Sequence, residues 1–417
     1  MSQARVLIVG GGVIGLSCAH ALAQRGVEVE VLERSRVGAG ASSGNAGTVS
    51  AGHPPLNRPG RVWQGLSQML DSTSPLYIRP RWDPQLWRWL LGFARTCTDS
   101  HVEHSMRIMA PLGMQALASF DALIEEEAID CGYRMDGYFD VCATESGLGH
   151  ARQEAAIIER HGYHPEALDG EGLRQAEPGL GPRVLGGVFY PEARTLNPAD
   201  FLAEMSDRIR QRGHTIREGV EVVTVEATGG RATGVTLADG SRVDADAVVL
   251  ATGPFVQRIS GELGAPLPVQ PGKGYHRDLA VGPGGAPALR IACVLNETSI
   301  FITPMGGVVR FAGTMEFSGE NDVMRRPRLE QLTDGARDYL PALGREAPVS
   351  EWCGLRPMSV DGLPIVGGYA GVDGLSVATG HGMLGLTLGP VTGELIANHV
   401  MGVEDSRLDA LSPSRFR

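Results

Sequence analysis

The sequence has no C-x-x-C pair, no cluster of His and Cys, and no internal repeat. Its six cysteines (Cys18, Cys97, Cys131, Cys142, Cys293, Cys353) are scattered. That argues against a disulfide framework and against a zinc or other metal site, and it fits reduced thiols. Positive charge is also short: 37 Lys and Arg against 48 Asp and Glu leave a net charge of -11. Such a balance gives no electrostatic footprint for nucleic acid, so that partner is set aside. Long apolar runs are missing as well. The opening "MSQARVLIVGGG" carries an apolar run far too short for a signal peptide or a membrane span. The reading is a cytoplasmic protein. Its 417 residues suffice for two or three domains with a large core.

Glycine, by contrast, is abundant. The 57 glycines exceed the usual share of about 7%. Many stand in tight clusters, which reads as backbone turning sharply or approaching a ligand. The first cluster follows the apolar strand "RVLIV" and opens a helix that closes at Gly26. "VEVEVLE" then alternates with period two and ends at Glu33, which completes a βαβ unit of about thirty residues. In that context Gly10-x-Gly12-x-x-Gly15 is the dinucleotide fingerprint. Gly10 permits the turn, Gly12 lets the backbone reach a pyrophosphate, and Gly15 lets helix and strand pack closely. Val13 and Ile14 open the helix whose free N–H groups face the phosphates. Glu33, followed by Arg34, would accept hydrogen bonds from an adenosine ribose, and its carboxylate disfavours NADP.

Three further features favour FAD over NAD. "GAGASSGNAG" (38–47) follows Glu33 at once, and Ser42, Ser43, Asn45, Ala46 and Gly47 suit close contact with an extended cofactor. "AVVLATG" ends a later strand at Ala251, Thr252 and Gly253, after two turn signals that read as a small antiparallel meander. "ATGHGMLGLTLGP" (378–390) is a third glycine turn leading into a helix. It places Gly380, His381, Gly382, Met383 and Leu384 where a helix N-terminus would stabilise an anionic reduced flavin. "NPADFLAEMSDRIRQRG" reads as a helix with an Asn cap and a glycine stop. "GYFDVCAT" reads as a strand, "QPGKGYHRD" as a loop, and residues after Leu411 as a frayed end.

Two stretches carry unusual charge. "GLRPMSVDGLPIVGG" (354–368) sets Arg356 among glycine, proline and aliphatic residues. Arginine is rarely fully buried unless paired. Asp361 reads as tying its own turn, so Arg356 reads as waiting for a carboxylate from outside. Between 61 and 97 lie Trp63, Trp82, Trp87 and Trp89, with Arg61, Arg79, Arg81, Arg88 and Arg95. Two readings stand: a peripheral membrane contact at the inner face of the cell membrane, or a helix whose tryptophans are core. Lys273 also has two readings, beside the flavin or on a surface turn. His53 reads as a loop histidine rather than a flavin attachment point.

The order of these motifs resembles the D-amino-acid oxidase superfamily of FAD-dependent oxidoreductases over nearly the whole chain. "SPLYIRPRWDPQLWRWLLGFARTC" (74–97), "KGYH" and "GLRPMSVDG" are most similar to its bacterial D-amino-acid dehydrogenase branch. The resemblance implies an α/β fold: a Rossmann-like FAD-binding domain of the GR2 type, with an α+β substrate domain on an antiparallel sheet. The boundaries expected are 1–55, 196–262 and 352–417 for the first, and 56–195 and 263–351 for the second. It implies non-covalent FAD and oxidation of a D-amino acid by hydride transfer from Cα to flavin N5, giving a 2-oxo acid and ammonia. A cyclic or N-alkyl amino acid, or a flavin-binding subunit of a larger amine dehydrogenase, are the alternatives. It maps the substrate carboxylate to Arg356 and Tyr275, puts His276 near the substrate, and brings Val222 to the adenine. No acid or base side chain is expected in the hydride step. The electron acceptor stays open between a quinone and O2.

Overall fold

In a computed structural model of the chain, residues 4–50, 53–68, 71, 74–260, 264 and 266–417 are described. The βαβ opening forms as its pattern predicts. Strand Arg5–Val9 leads through glycines into helix Val13–Gln24 and strand Glu28–Glu33. These strands centre a six-stranded sheet in the order Ile365–Gly368, Leu375–Thr379, Ala247–Leu250, Arg5–Val9, Glu28–Glu33, Thr215–Glu218. All neighbours are parallel except the first pair. The continuous apolar strands are buried on both faces, as parallel sheets require. Helix Val13–Gln24 lies against helix Gly385–Val400, and the contact is close: a Cβ on Gly393 would sit 2.3 Å from the Ser17 carbonyl oxygen. The meander is strands Val222–Thr228, Arg231–Leu237 and Arg242–Asp244, all antiparallel. Helix Pro198–Gln211 carries its Asn197 cap, whose Oδ1 accepts from the Ala199 N–H at 3.0 Å.

The second sheet has nine strands and is mainly antiparallel. Its central path runs Ser350–Ser359, Val269–Ala280, Val308–Phe317, Ile300–Met305, Ala292–Leu295, Tyr138–Cys142, Gly186–Tyr190, Glu166–Asp169. Two expectations change here. "QPGKGYHRD" is not a loop but part of a buried twelve-residue strand, paired on both sides despite Pro271, Gly272 and Gly274. The expected boundary at 352 falls inside strand Ser350–Ser359, so the chain returns to the first sheet only after Ser359. The C-terminal residues are tied down: Arg415 bonds the Asp361 carboxylate at 2.8 Å.

Of the four tryptophans between 61 and 97, only Trp89 joins the core. Its indole N–H donates to the Met358 carbonyl at 3.0 Å. Trp63, Trp82 and Trp87 are exposed, Trp82 by 90%. The core reading therefore holds for one of them. Among the described residues no helix is long and apolar enough to cross a membrane.

Candidate active site

A cavity of about 1880 Å³ runs between the two sheets and is lined by both. Its first-sheet side is built of backbone. Gly10, Gly12, Val13 and Ile14 line it at the start of the first helix. Gly10 has φ +109°, and a Cβ there would meet the Ala251 carbonyl oxygen at 2.5 Å. A Cβ on Gly15 would lie 1.9 Å from the Gly10 oxygen, so only glycine lets this helix reach its strand. The Ser42 hydroxyl accepts from the Val13 N–H at 3.0 Å and pins the second glycine loop to the helix start. The Glu33 carboxylate accepts from the Gly11 N–H at 2.7 Å and from the Ser35 N–H at 2.9 Å, and keeps lone pairs for hydroxyls. Arg34 stacks on Phe255, 3.8 Å above its ring, and both line the same end of the cavity with Val222.

Buried polar atoms test what this crevice is shaped for. Among the described residues Thr252 Oγ1, Ser359 Oγ, Thr314 Oγ1 and His381 Nδ1 have no hydrogen-bond partner, and all four residues line the cavity. Buried polar groups are ordinarily paired. These atoms sit along the length that an extended dinucleotide and a second ligand would fill. The residues fit a bound FAD: the glycine cradle and helix start for the pyrophosphate, Glu33 for the ribose, and the 378–387 turn for the ring end. His381 donates or accepts at Nε2 with Thr392 Oγ1, 3.0 Å away, and burial lowers its pKa to about 3. It is neutral in any ordinary buffer.

The second-sheet side is built of charge. Arg356 lines the cavity from strand Ser350–Ser359. Its guanidinium lies across Gly274, where a Cβ would collide with Cζ at 2.3 Å. It donates to the Thr314 carbonyl at 2.8 Å, and Thr314 is turned to φ +61° at an irregularity in strand Val308–Phe317. Among the described residues no carboxylate pairs with Arg356. Burial, and then the nearby positive charge of Arg328, lower its pKa to about 10. The deep carboxylate of this region, Glu316, is taken elsewhere. It faces Arg325 at 3.1 Å, Arg328 at 3.5 Å and Lys273 at 3.8 Å, and accepts from the Tyr275 hydroxyl at 2.8 Å.

Several residues singled out in the sequence take other parts than expected, some of them away from the cavity. Tyr275 lines it, but its hydroxyl hydrogen is held by Glu316, so this arrangement offers a carboxylate no donor there. His276 points to the opposite face, as strand alternation demands. It stacks on Trp352, bonds the Gly44 carbonyl at 2.9 Å, and burial lowers its pKa to about 4. Ser43 bonds the Gly38 carbonyl at 2.9 Å, and Gly47 makes room for Met305, so these two shape the loop rather than the wall. Gly380 serves the turn with φ +73°. Lys273 is neither surface nor wall. It is fully buried, donates to Val323 O at 3.1 Å and to Asn321 Oδ1, and burial lowers its pKa. It is also the only lysine in the chain. His53 stacks on Tyr138 and lies 3.1 Å from Ser50 Oγ.

Sequence reasoning missed one part of the wall. Tyr138 and Asp140 share a face of strand Tyr138–Cys142 and line the cavity with Tyr190 and Asn296. The signal was present in "GYFDVCAT": period-two alternation puts the tyrosine and the aspartate on one side.

The parallel sheet, the glycine crevice and the unpaired polar atoms along it define a dinucleotide-binding protein. Comparison with known proteins fixes the kind. The family model described as "FAD dependent oxidoreductase" (DAO) matches residues 5–399, and the chain belongs to that family. FAD is its cofactor, and the enzyme is an oxidoreductase. The chain is 35% identical over 405 residues to a protein named D-amino acid dehydrogenase of Xanthobacter autotrophicus, covering 95% of each. It resembles the structure of glycine oxidase from Bacillus cereus, with TM-score 0.77, 24% identity and 98% of each chain covered. It also resembles iminodiacetate oxidase from a Chelativorans species, with TM-score 0.73, 25% identity, and 98% and 99% covered.

Proposed function

We propose that this FAD-dependent amino-acid-oxidising enzyme acts as a dehydrogenase on D-amino acids, with Arg356 anchoring the substrate carboxylate. The observation that carries the reading is the Arg356 guanidinium itself, half-buried on the cavity wall across Gly274, with a carbonyl partner and no anion. A buried cation without a counter-ion is costly unless a ligand brings one. A carboxylate held by two parallel N–H bonds would be fixed in orientation as well as position. The name carried by relatives of about 35% identity supports the D-amino-acid reading.

Bound FAD supplies the two-electron acceptor for the Cα hydride. The protein's part is to hold Cα in line for that transfer. The amine nitrogen loses a proton and forms the C=N bond as the hydride leaves. Water then adds to the imine and releases ammonia and the 2-oxo acid. No side chain is assigned an acid or base role. FAD is held without a covalent bond in this reading. The one cysteine on the cavity wall, Cys353, points its thiol to Asp322 O at 3.4 Å, and burial raises its pKa, so it is no thiolate. Replacing Arg356 by Ala should leave FAD bound and raise KM for a D-amino acid at least 100-fold. Anaerobic flavin bleaching with a panel of D-, L- and N-alkyl amino acids reads this out. Unchanged saturation in the variant overturns the assignment, and bleaching by the L- or N-alkyl compounds alone overturns the substrate class.

The electron acceptor is proposed to be a membrane quinone. The exposed Trp87 and Leu91 stand at the cavity mouth on helix Pro84–Thr96, with Arg88 and Arg95 beside them and Trp82 just before. Aromatic and cationic side chains in this mixture suit a lipid headgroup layer. The enzyme should float with anionic vesicles at low salt, and Trp82→Ser with Trp87→Ser should weaken this several-fold. Absence of binding by the unmodified enzyme, with stoichiometric peroxide formation in air, would reject the acceptor.

A further inference from the structure

The cavity holds a second unpaired charge, of opposite sign, across the sheet from Arg356. Asp140 is buried and lines the wall, yet no Lys, Arg or His pairs with it among the described residues. Its only hydrogen-bond partner there is the neutral Asn296 amide, at 3.0 and 3.2 Å. The acids nearest in charge are already satisfied. Glu154 pairs with Arg58, while Glu297 accepts from the Ala143 and Thr144 N–H groups and from two hydroxyls. Beside Asp140 stand two aromatic rings: Tyr138 stacked on Tyr190 at 4.8 Å, with His53 against both at 5.7 and 6.1 Å. Burial raises the Asp140 pKa to about 7, and the charges of Glu154 and Glu297 add to it. An uncompensated carboxylate against aromatic faces is the complement of a cation.

The spacing fits one molecule at both ends. Thr314, which accepts from Arg356, follows Gly313 on its strand. Gly313, Ile300 and Leu295 pair in one row across three strands; Asp140 registers with Val294 beside that row, and its carboxylate is held by Asn296, just past Leu295. From the Thr314 strand to the Asp140 strand is three steps, or about 14 Å at ~4.8 Å each. Charge-assisted contacts at the two ends take up about 6 Å of that. The remainder, about 8 Å, is close to the reach of six extended bonds between a carboxylate carbon and a terminal nitrogen.

Resting on the D-amino-acid reading above, we propose that Asp140 is the anchor of a distal cation subsite, and that the preferred substrates are D-amino acids with a long cationic side chain, of the lysine or arginine type. Tyr138 and Tyr190 form the aromatic wall of that subsite, and Asn296 holds the carboxylate in place.

The test compares D-lysine with D-norleucine, which has the same four side-chain carbons and lacks the terminal ammonium, and D-alanine as a short reference, by rates of anaerobic flavin bleaching. The unmodified holoenzyme should prefer D-lysine over D-norleucine at least tenfold in kcat/KM. Asp140→Asn should erase that preference, chiefly through KM for D-lysine, and lower kcat/KM for D-lysine far more than for D-alanine. Equal or better use of D-norleucine by the unmodified enzyme overturns the proposal without any variant. Retention of the D-lysine preference in Asp140→Asn overturns it as well. If D-alanine and D-norleucine bleach the flavin but D-lysine holds no advantage, the subsite fails and the D-amino-acid reading stands. If none of the three bleaches it, both fail.

Discussion

The two sheets meet the same cavity with different chemistry. The six-stranded sheet offers glycines, strand ends and helix starts, and the carboxylate it turns toward the ligand, Glu33, is already seated on its own loop. The nine-stranded sheet offers Arg356 and Asp140, backed by the buried group of Lys273, Glu316 and Arg328. Backbone donors recognise what every turnover shares, the phosphates and sugar of a cofactor. Side-chain charge recognises what differs between substrates. The cost also differs. A glycine crevice needs only close packing, whereas buried charges need one another. Burial alone would raise the Glu316 pKa, but hydrogen bonds from Ser318 and Tyr275, with Lys273 and Arg325 nearby, hold it below the usual value.

The comparison breaks most readily on the glycine side. Gly15→Ala places a methyl where a Cβ would sit 1.9 Å from the Gly10 oxygen, and backbone cannot yield as a side chain can. The variant should purify with less than a tenth of the normal flavin content, read from its visible absorbance. Full flavin content in that variant would show that the crevice tolerates a wider helix–strand spacing, and that backbone geometry is not what holds the cofactor.

The same division decides what could be read in the sequence. The crevice was legible because its determinants are local: turn, helix and acidic residue lie within about thirty positions, each with its own residue type. The meander and the Asn197-capped helix were legible for the same reason. Strand Val269–Ala280 was not. Pro271, Gly272 and Gly274 read as loop, because nothing local shows that Gly274 makes room for an arginine from the next strand. His276 reads as a neighbour of the substrate only while its surroundings read as loop; in a strand it must face away from Tyr275. Arg356 stood out as a charge in an apolar stretch. Asp140 did not, because what makes it unusual is a missing cation and an amide from Asn296, 156 positions away.

The smaller effect, and the sharper contrast within the charged sheet, lies in how Asp140 titrates. Its pKa is raised by burial from 3.8 to about 7. Between the unfolded and folded values the native state therefore holds the extra proton. Stability falls as pH rises through that window, and the loss is complete above about pH 7. A carboxylate paired with a protein cation would behave in the opposite way. The shift caps the loss at about 4 kcal/mol, and about 1–2 kcal/mol is expected once cavity water screens the charge. Asp140→Asn removes this cost and keeps the shape. In substrate-free holoenzyme its melting temperature should come nearest the unmodified protein's near pH 4 and exceed it by a few degrees at pH 8. Saturating D-lysine should close that gap by supplying the missing cation to the unmodified enzyme alone. A variant less stable than the unmodified protein at pH 8 would mean that Asp140 already has its cation within the fold, and the symmetry with Arg356 would be lost.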